Sequence, residues 1–158
     1  MANVSTISFM FKAAATLNLE DLRSRAGSPT MRHLFEETLN LYEEYLIARD
    51  AGCKLVMTHP DHADGYEIDD AEHPVNHKPV GIVTLTADLT RANQVAARGG
   101  FVATQNMLTH AFMLRERVTE AFEQGWDVGY FNEQESRIQY YPRARFCLMD
   151  SPAPTMLQ

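Results

Sequence analysis

A chain of 158 residues, 45% hydrophobic and 22% charged, is long enough to bury a core as one domain and too apolar to be disordered throughout. Its formal charge of −7 is localised: six carboxylates fall within "HPDHADGYEIDDAEHPVNH" (59–77), and the remaining acids nearly match the 14 bases. That distribution argues against a general basic face for nucleic acid and against mimicry of DNA by the whole surface.

In chain order, "TISFMF" (6–11) is rich in β-branched and aromatic residues and predicts an edge strand or arm. "NLEDLRSRAG" (18–27) predicts a short helix, with Asn18 as cap and Gly27 as stop. A long amphipathic helix is predicted over 29–51, with Ser28 ahead of Pro29 at its first position and Gly52 past its end. Met31, Leu34, Phe35, Thr38, Tyr42, Tyr45, Leu46 and Arg49 recur on one stripe of it, while Glu36, Glu37, Glu43 and Glu44 fall off that stripe. Strands are predicted at "CKLVMT" (53–58) and "VGIVTLT" (80–86), joined by a long acidic, histidine-rich loop over 59–79. Plain connections rarely exceed about 12–15 residues, so that length is itself a sign that the loop binds something or moves.

Helices follow over 88–98 and 103–124, separated by a Gly-Gly stop; Met107, Ala111, Leu114, Val118 and Ala121 form the stripe of the second, and Gly125 ends it. "WDVGYF" and "RIQYYPRARFCLM" predict two strands around a polar "NEQES" turn, with Pro142 marking a bulge or an edge. Residues 151–158 read as a flexible tail. The resulting fold class is α+β: a single domain over 1–150, with two long amphipathic helices packed on a small mixed or antiparallel sheet. No apolar run reaches the length of a membrane span, and no leader pattern opens the chain, which predicts a cytoplasmic protein with no membrane contact. Cys53 and Cys147 stand in apolar runs and are expected to be buried free thiols.

The histidines of the acidic loop are spaced His-x2-His-x10-His-x3-His. Imidazoles at such gaps, with a carboxylate between the first two, are a conceivable zinc ligand set: His59, Asp61, His62, His73 and His77. "LVMTHPDHADG" (55–65) also resembles the metal motif of the metallo-β-lactamase superfamily at His59, Asp61, His62 and Gly65. Met57 stands where the leading histidine of that motif belongs. The alternative use of the loop is recognition of a partner through Asp64, Glu67, Asp69, Asp70 and Glu72. Arg137, Arg143 and Arg145 form the one basic cluster, expected on alternating positions of a strand. They suggest either ion pairing or a receptor for the acidic loop of a neighbouring copy, a head-to-tail contact that builds rings or arrays.

No Walker loop, GxGxxG, GxSxG or HExxH motif is present. The leading expectation is therefore a non-enzymatic interaction protein without a cofactor, which self-assembles as a homo-oligomer or binds and inhibits a protein partner. Small acidic chains of this kind are often accessory proteins, for instance of phages or mobile elements. Two alternatives remain. One is a zinc-dependent hydrolase built on the loop histidines, with Asp64 as general base. The other is a nucleic-acid-associated protein in which the C-terminal arginines act with Tyr140, Tyr141 and Phe146.

Overall fold

The computed structural model describes the backbone of residues 4–14, 19–68 and 77–146, and the side chains of 19–68 and 89–146. Its elements run β1 (Val4–Ala14), α1 (Leu19–Ala26), α2 (Met31–Asp50), β2 (Cys53–Thr58), β3 (Tyr66–Glu67), β4 (His77–Asp88), α3 (Leu89–Arg98), α4 (Thr104–Glu123), β5 (Asp127–Asn132) and β6 (Arg137–Tyr140). The fold is α+β, and its pairings are all antiparallel among the described strands.

Helices α2 and α4 form the core. On α2, Leu34, Phe35, Leu39, Tyr42 and Leu46 are buried at three- and four-residue steps. On α4, the buried Met107, Ala111, Leu114, Val118 and Phe122 do the same. The Phe35 and Phe112 rings meet with centroids 6.3 Å apart. Each fully buried side chain of this size stabilises the fold by roughly 1.5–3 kcal/mol. Helix α1 buries Leu22 against this pair. Its Arg25 bonds both oxygens of Glu116 and of Glu123 on α4.

Three local outcomes differ from the sequence pattern. First, α2 starts later than Pro29. Thr30 is extended (φ −140°) and its hydroxyl accepts the His33 amide at 3.0 Å, so it caps the helix. Ser28 is instead buried, and its carbonyl accepts Arg23 Nη1 at 2.8 Å. Second, the segment after Tyr140 is not a continuing strand. Pro142 offers no N–H to a ladder, and Arg143–Arg145 form a 3-10 turn behind it. Third, the strands on either side of the acidic loop do not share a sheet. β2 lies in a four-stranded sheet of order β3-β2-β5-β6, whereas β4 pairs with β1 in a separate two-stranded ribbon.

That ribbon extends well beyond the expected 6–11 and 80–86, and its register sorts the residues by face. Ile7 opposes Leu85, Phe9 opposes Val83 and Phe11 opposes Gly81; on the alternate positions Thr6 opposes Thr86, Ser8 opposes Thr84 and Met10 opposes Ile82. A register shift falls between Phe11 and Lys12. The ribbon lies along α4 and α2. In the four-stranded sheet, β5 and β6 approach closely at Gly129, where a Cβ would lie 2.7 Å from the Tyr140 Cα. Cys53 is a free thiol, half-buried rather than buried at the start of β2. Cys147 and the tail lie outside the described residues, and no helix among those described is long and apolar enough to cross a membrane.

Candidate interaction site

The first half of the acidic loop is folded, and an aromatic cluster folds it. After β2 the chain turns at once: the His62 amide donates to the His59 carbonyl at 3.0 Å, and the Asp61 amide to His59 Nδ1 at 3.0 Å. The His62 ring stacks on Trp126 at 4.8 Å between centroids. His59 and Tyr66 meet the same indole edge-on, at 5.2 and 5.6 Å. Trp126 is held there by the end of α4: Gly125 adopts φ +90° and the Trp126 amide returns to the Ala121 carbonyl at 2.9 Å. A side chain on Gly125 would begin 3.4 Å from His59 Nε2. Beyond the turn, β3 joins β2, and the Ile68 amide reaches the Leu55 carbonyl at 2.8 Å with the Ile68 side chain buried.

This arrangement carries Asp61, Asp64 and Glu67 outward. All three are exposed. Asp61 has a single loose neighbour, His59 Nδ1 at 3.8 Å, and Asp64 and Glu67 have no ion pair among the described residues. Among those same residues no three His, Cys, Asp or Glu side chains gather as a metal-binding group. Of the zinc ligand set, His59, Asp61 and His62 are adjacent. His73 lies outside the described residues, as do Asp69, Asp70 and Glu72, and His77 opens β4 with its side chain outside them.

The basic cluster has the opposite character. Arg143 donates to the carbonyls of Phe122 and Trp126, at 2.5 and 2.9 Å, and pairs with Asp127 at 3.6 Å. It thereby caps the carboxyl end of α4, where a cation is favoured. Arg145 grips both oxygens of Glu44 at 3.0 and 2.9 Å, lies 3.8 Å from Glu37, and covers the rings of Tyr141 and Phe146. Only Arg137, 3.1 Å from Glu135, sits on a strand and is exposed. The three arginines are therefore not a stripe on one strand face; two of them close the fold's C-terminal corner.

Glu44 also accepts the Tyr141 hydroxyl at 2.9 Å, and Tyr141 bonds Tyr130 at 2.8 Å. Burial pushes the Tyr130 phenol up to about 12 and raises Tyr141 further, so both are neutral hydrogen-bonding groups rather than bases near pH 7. A groove of about 470 Å³, lined by Ile47, Ala48, Ala51, Tyr130, Tyr141 and Pro142 among others, runs beside them. Deeper in the corner, Arg115 is 1% exposed, and its Nε and Nη1 have no hydrogen-bond partner among the described residues. Its guanidinium faces the Phe146 ring at 4.9 Å, and burial pushes its pKa down to about 10.

No family model, curated protein or solved structure matches the chain. Neither Trp126 nor the Glu44–Tyr141–Tyr130 chain stands out in the sequence as a site. The usable signals were the single tryptophan directly after a helix stop, and Glu44 lying off the apolar stripe of α2.

Proposed function

We propose that this chain is a non-enzymatic interaction protein that presents its acidic turn to a basic surface on a protein partner. One observation carries the reading: Asp61 and Asp64 stand exposed on a turn clamped by Trp126, with the exposed Glu67 following on β3, and none of the three has a close ion pair among the described residues. A clamped turn has already lost the conformational freedom that a floppy acidic loop gives up on binding. Arg143 and Arg145 spend their donors inside the same fold, so these two arginines are poorly placed to supply the counter-charge for the turn. This moves the reading away from a head-to-tail contact on those arginines and towards a separate basic partner, consistent with an accessory or inhibitory role. The same internal pairing leaves the C-terminal corner poorly equipped to grip phosphates.

Affinity capture from the source cell tests the proposal, using the wild type and the triple variant Asp61→Asn, Asp64→Asn, Glu67→Gln. A partner retained by the wild type at low salt, and lost both by the variant and in about 1 M salt, where screening acts over roughly 3 Å, is the expected result. A partner held equally by both proteins would remove the turn from the interface.

A second reading, a zinc-dependent hydrolase, keeps one observation in its favour: the His59 and His62 rings lie 5.3 Å apart with Asp61 between them in sequence. Metal analysis of tag-free protein decides it. One zinc per chain with a chelator-sensitive Tm would put this reading in place of the first.

A further inference from the structure

We propose that the groove between the end of α2 and strands β5 and β6 binds a small, flat, uncharged aromatic molecule that carries an N–H or O–H donor. The groove measures about 470 Å³, within the range of small-molecule sites, roughly 300–1,000 Å³. Its helical wall is a single stripe of α2: Glu44, Ile47, Ala48 and the capping Ala51. The two alanines leave a slot beside the bulkier Ile47. Rings form the opposite wall, from Tyr130, Tyr140 and Tyr141. Ile47 and Tyr140 are 48% and 49% exposed, so the mouth of the groove is open to water.

The hydrogen bonds along the wall fix what the ligand has to bring. Glu44 is the one charged residue among those lining the groove, and Arg145 holds both of its oxygens. That charge is matched inside the fold, so a charged ligand would leave water with no counter-charge to meet it. Carboxylate oxygens only accept, so the single Tyr141 hydroxyl proton goes to Glu44, at 2.9 Å. The 2.8 Å bond between the two phenols is then donated by Tyr130. Burial raises both phenols, Tyr130 to about 12, so each keeps its proton at neutral pH.

The relay therefore ends on the Tyr130 oxygen. It has given away its one proton, and its remaining lone pairs meet no donor among the described residues. Tyr140 contributes its ring alone, because its hydroxyl is engaged with Thr58 at 3.0 Å. A ligand donor on the Tyr130 oxygen completes the relay, and an aromatic body fills the slot between the alanines and the rings. The groove shares no residue with the acidic turn, so the two proposals fail separately.

Indole and benzothiophene test the proposal on the full chain: their shapes match, and only indole has an N–H. Calorimetry is expected to show saturable binding of indole, with amide NMR shifts centred on Ala48, Ala51 and Tyr130. Tyr130→Phe removes the terminal acceptor and should lower the indole-to-benzothiophene affinity ratio roughly fivefold, the worth of one net hydrogen bond. A merely structural effect of that variant would weaken both probes and leave the ratio unchanged. Ala48→Leu fills the slot at a partly buried position and should abolish binding of both probes, with far-UV circular dichroism unchanged. Any of three results would overturn the proposal: no saturable indole binding into the low-millimolar range, shifts centred away from the groove, or an affinity ratio that Tyr130→Phe does not move.

Discussion

The acidic turn and the arginine corner both hang on the same four-stranded sheet, one after β2 and the other after β6, and they resolve their charge in opposite ways. At the corner, Arg145 finds Glu44 and Glu37 on α2, and Arg143 finds the carboxyl end of α4. At the turn, aromatic rings rather than opposite charges fix the backbone, and the carboxylates are left facing water. Charge density along a sequence therefore says little about use. What decides is whether an opposite charge stands within reach on a neighbouring element. The corner is built into the fold, and the turn is the surface we propose for recognition.

Several substitutions would break that contrast if it is mistaken. The largest effect is expected at the corner. Arg145→Ala removes a bidentate pair and the cover over two aromatic rings, and should cost about 2 kcal/mol in a denaturant melt. A loss below about 0.5 kcal/mol would mean that the corner is ornamental. Arg115→Met should have the opposite sign. A buried cation with two nitrogens unpartnered among the described residues is replaced by an apolar side chain of similar reach, so the Tm is expected to hold or rise. A sharp fall would show that Arg115 has a partner that matters.

Alkaline pH separates these groups further. The Arg115 pKa is lowered to about 10 from its ordinary 12.5, so its burial penalty is full below pH 10 and is relieved as the pH rises from there. The Tyr130 pKa is raised from 10 to about 12, so its contribution is full below pH 10 and is lost as the pH rises through 12. Tyr141 moves in the same direction as Tyr130. Wild-type stability should fall between pH 10 and 12, and more steeply in Arg115→Met, which lacks the opposing relief. Tyr130→Phe should remove a phenolate absorbance step near pH 12. Parallel stability curves for wild type and Arg115→Met would contradict the assignment.

The smallest effect belongs to the turn. Neutralising Asp61, Asp64 and Glu67 together should change stability by no more than about 0.5 kcal/mol, because none has a close ion-pair partner among the described residues.

Much of the fold was legible because it rests on local pattern. The stripes of α2 and α4 and the stops at Gly52 and Gly125 set the long helices to within two residues. Strand β2 follows from its own composition. The two-residue β3 could not be read, since it exists through a backbone bond from Ile68 to Leu55. Nor could the split into two sheets, because the pairing of Ile7 with Leu85 depends on contacts far apart in sequence. At the candidate site the acids were visible, but their clamp was not. Trp126 lies 64 positions from His62, and only the folded helix α4 brings it there. Arg143 and Arg145 were visible as a cluster, while the Glu44 that occupies Arg145 lies 101 residues away.

The most direct measurement is the salt dependence of affinity for the partner captured by the wild-type chain, compared with the Asp61/Asp64/Glu67 triple variant. If the turn is the recognition surface, wild-type affinity falls steeply with added salt, and the variant binds weakly with a flatter dependence. Equal affinities with equal salt slopes would contradict it.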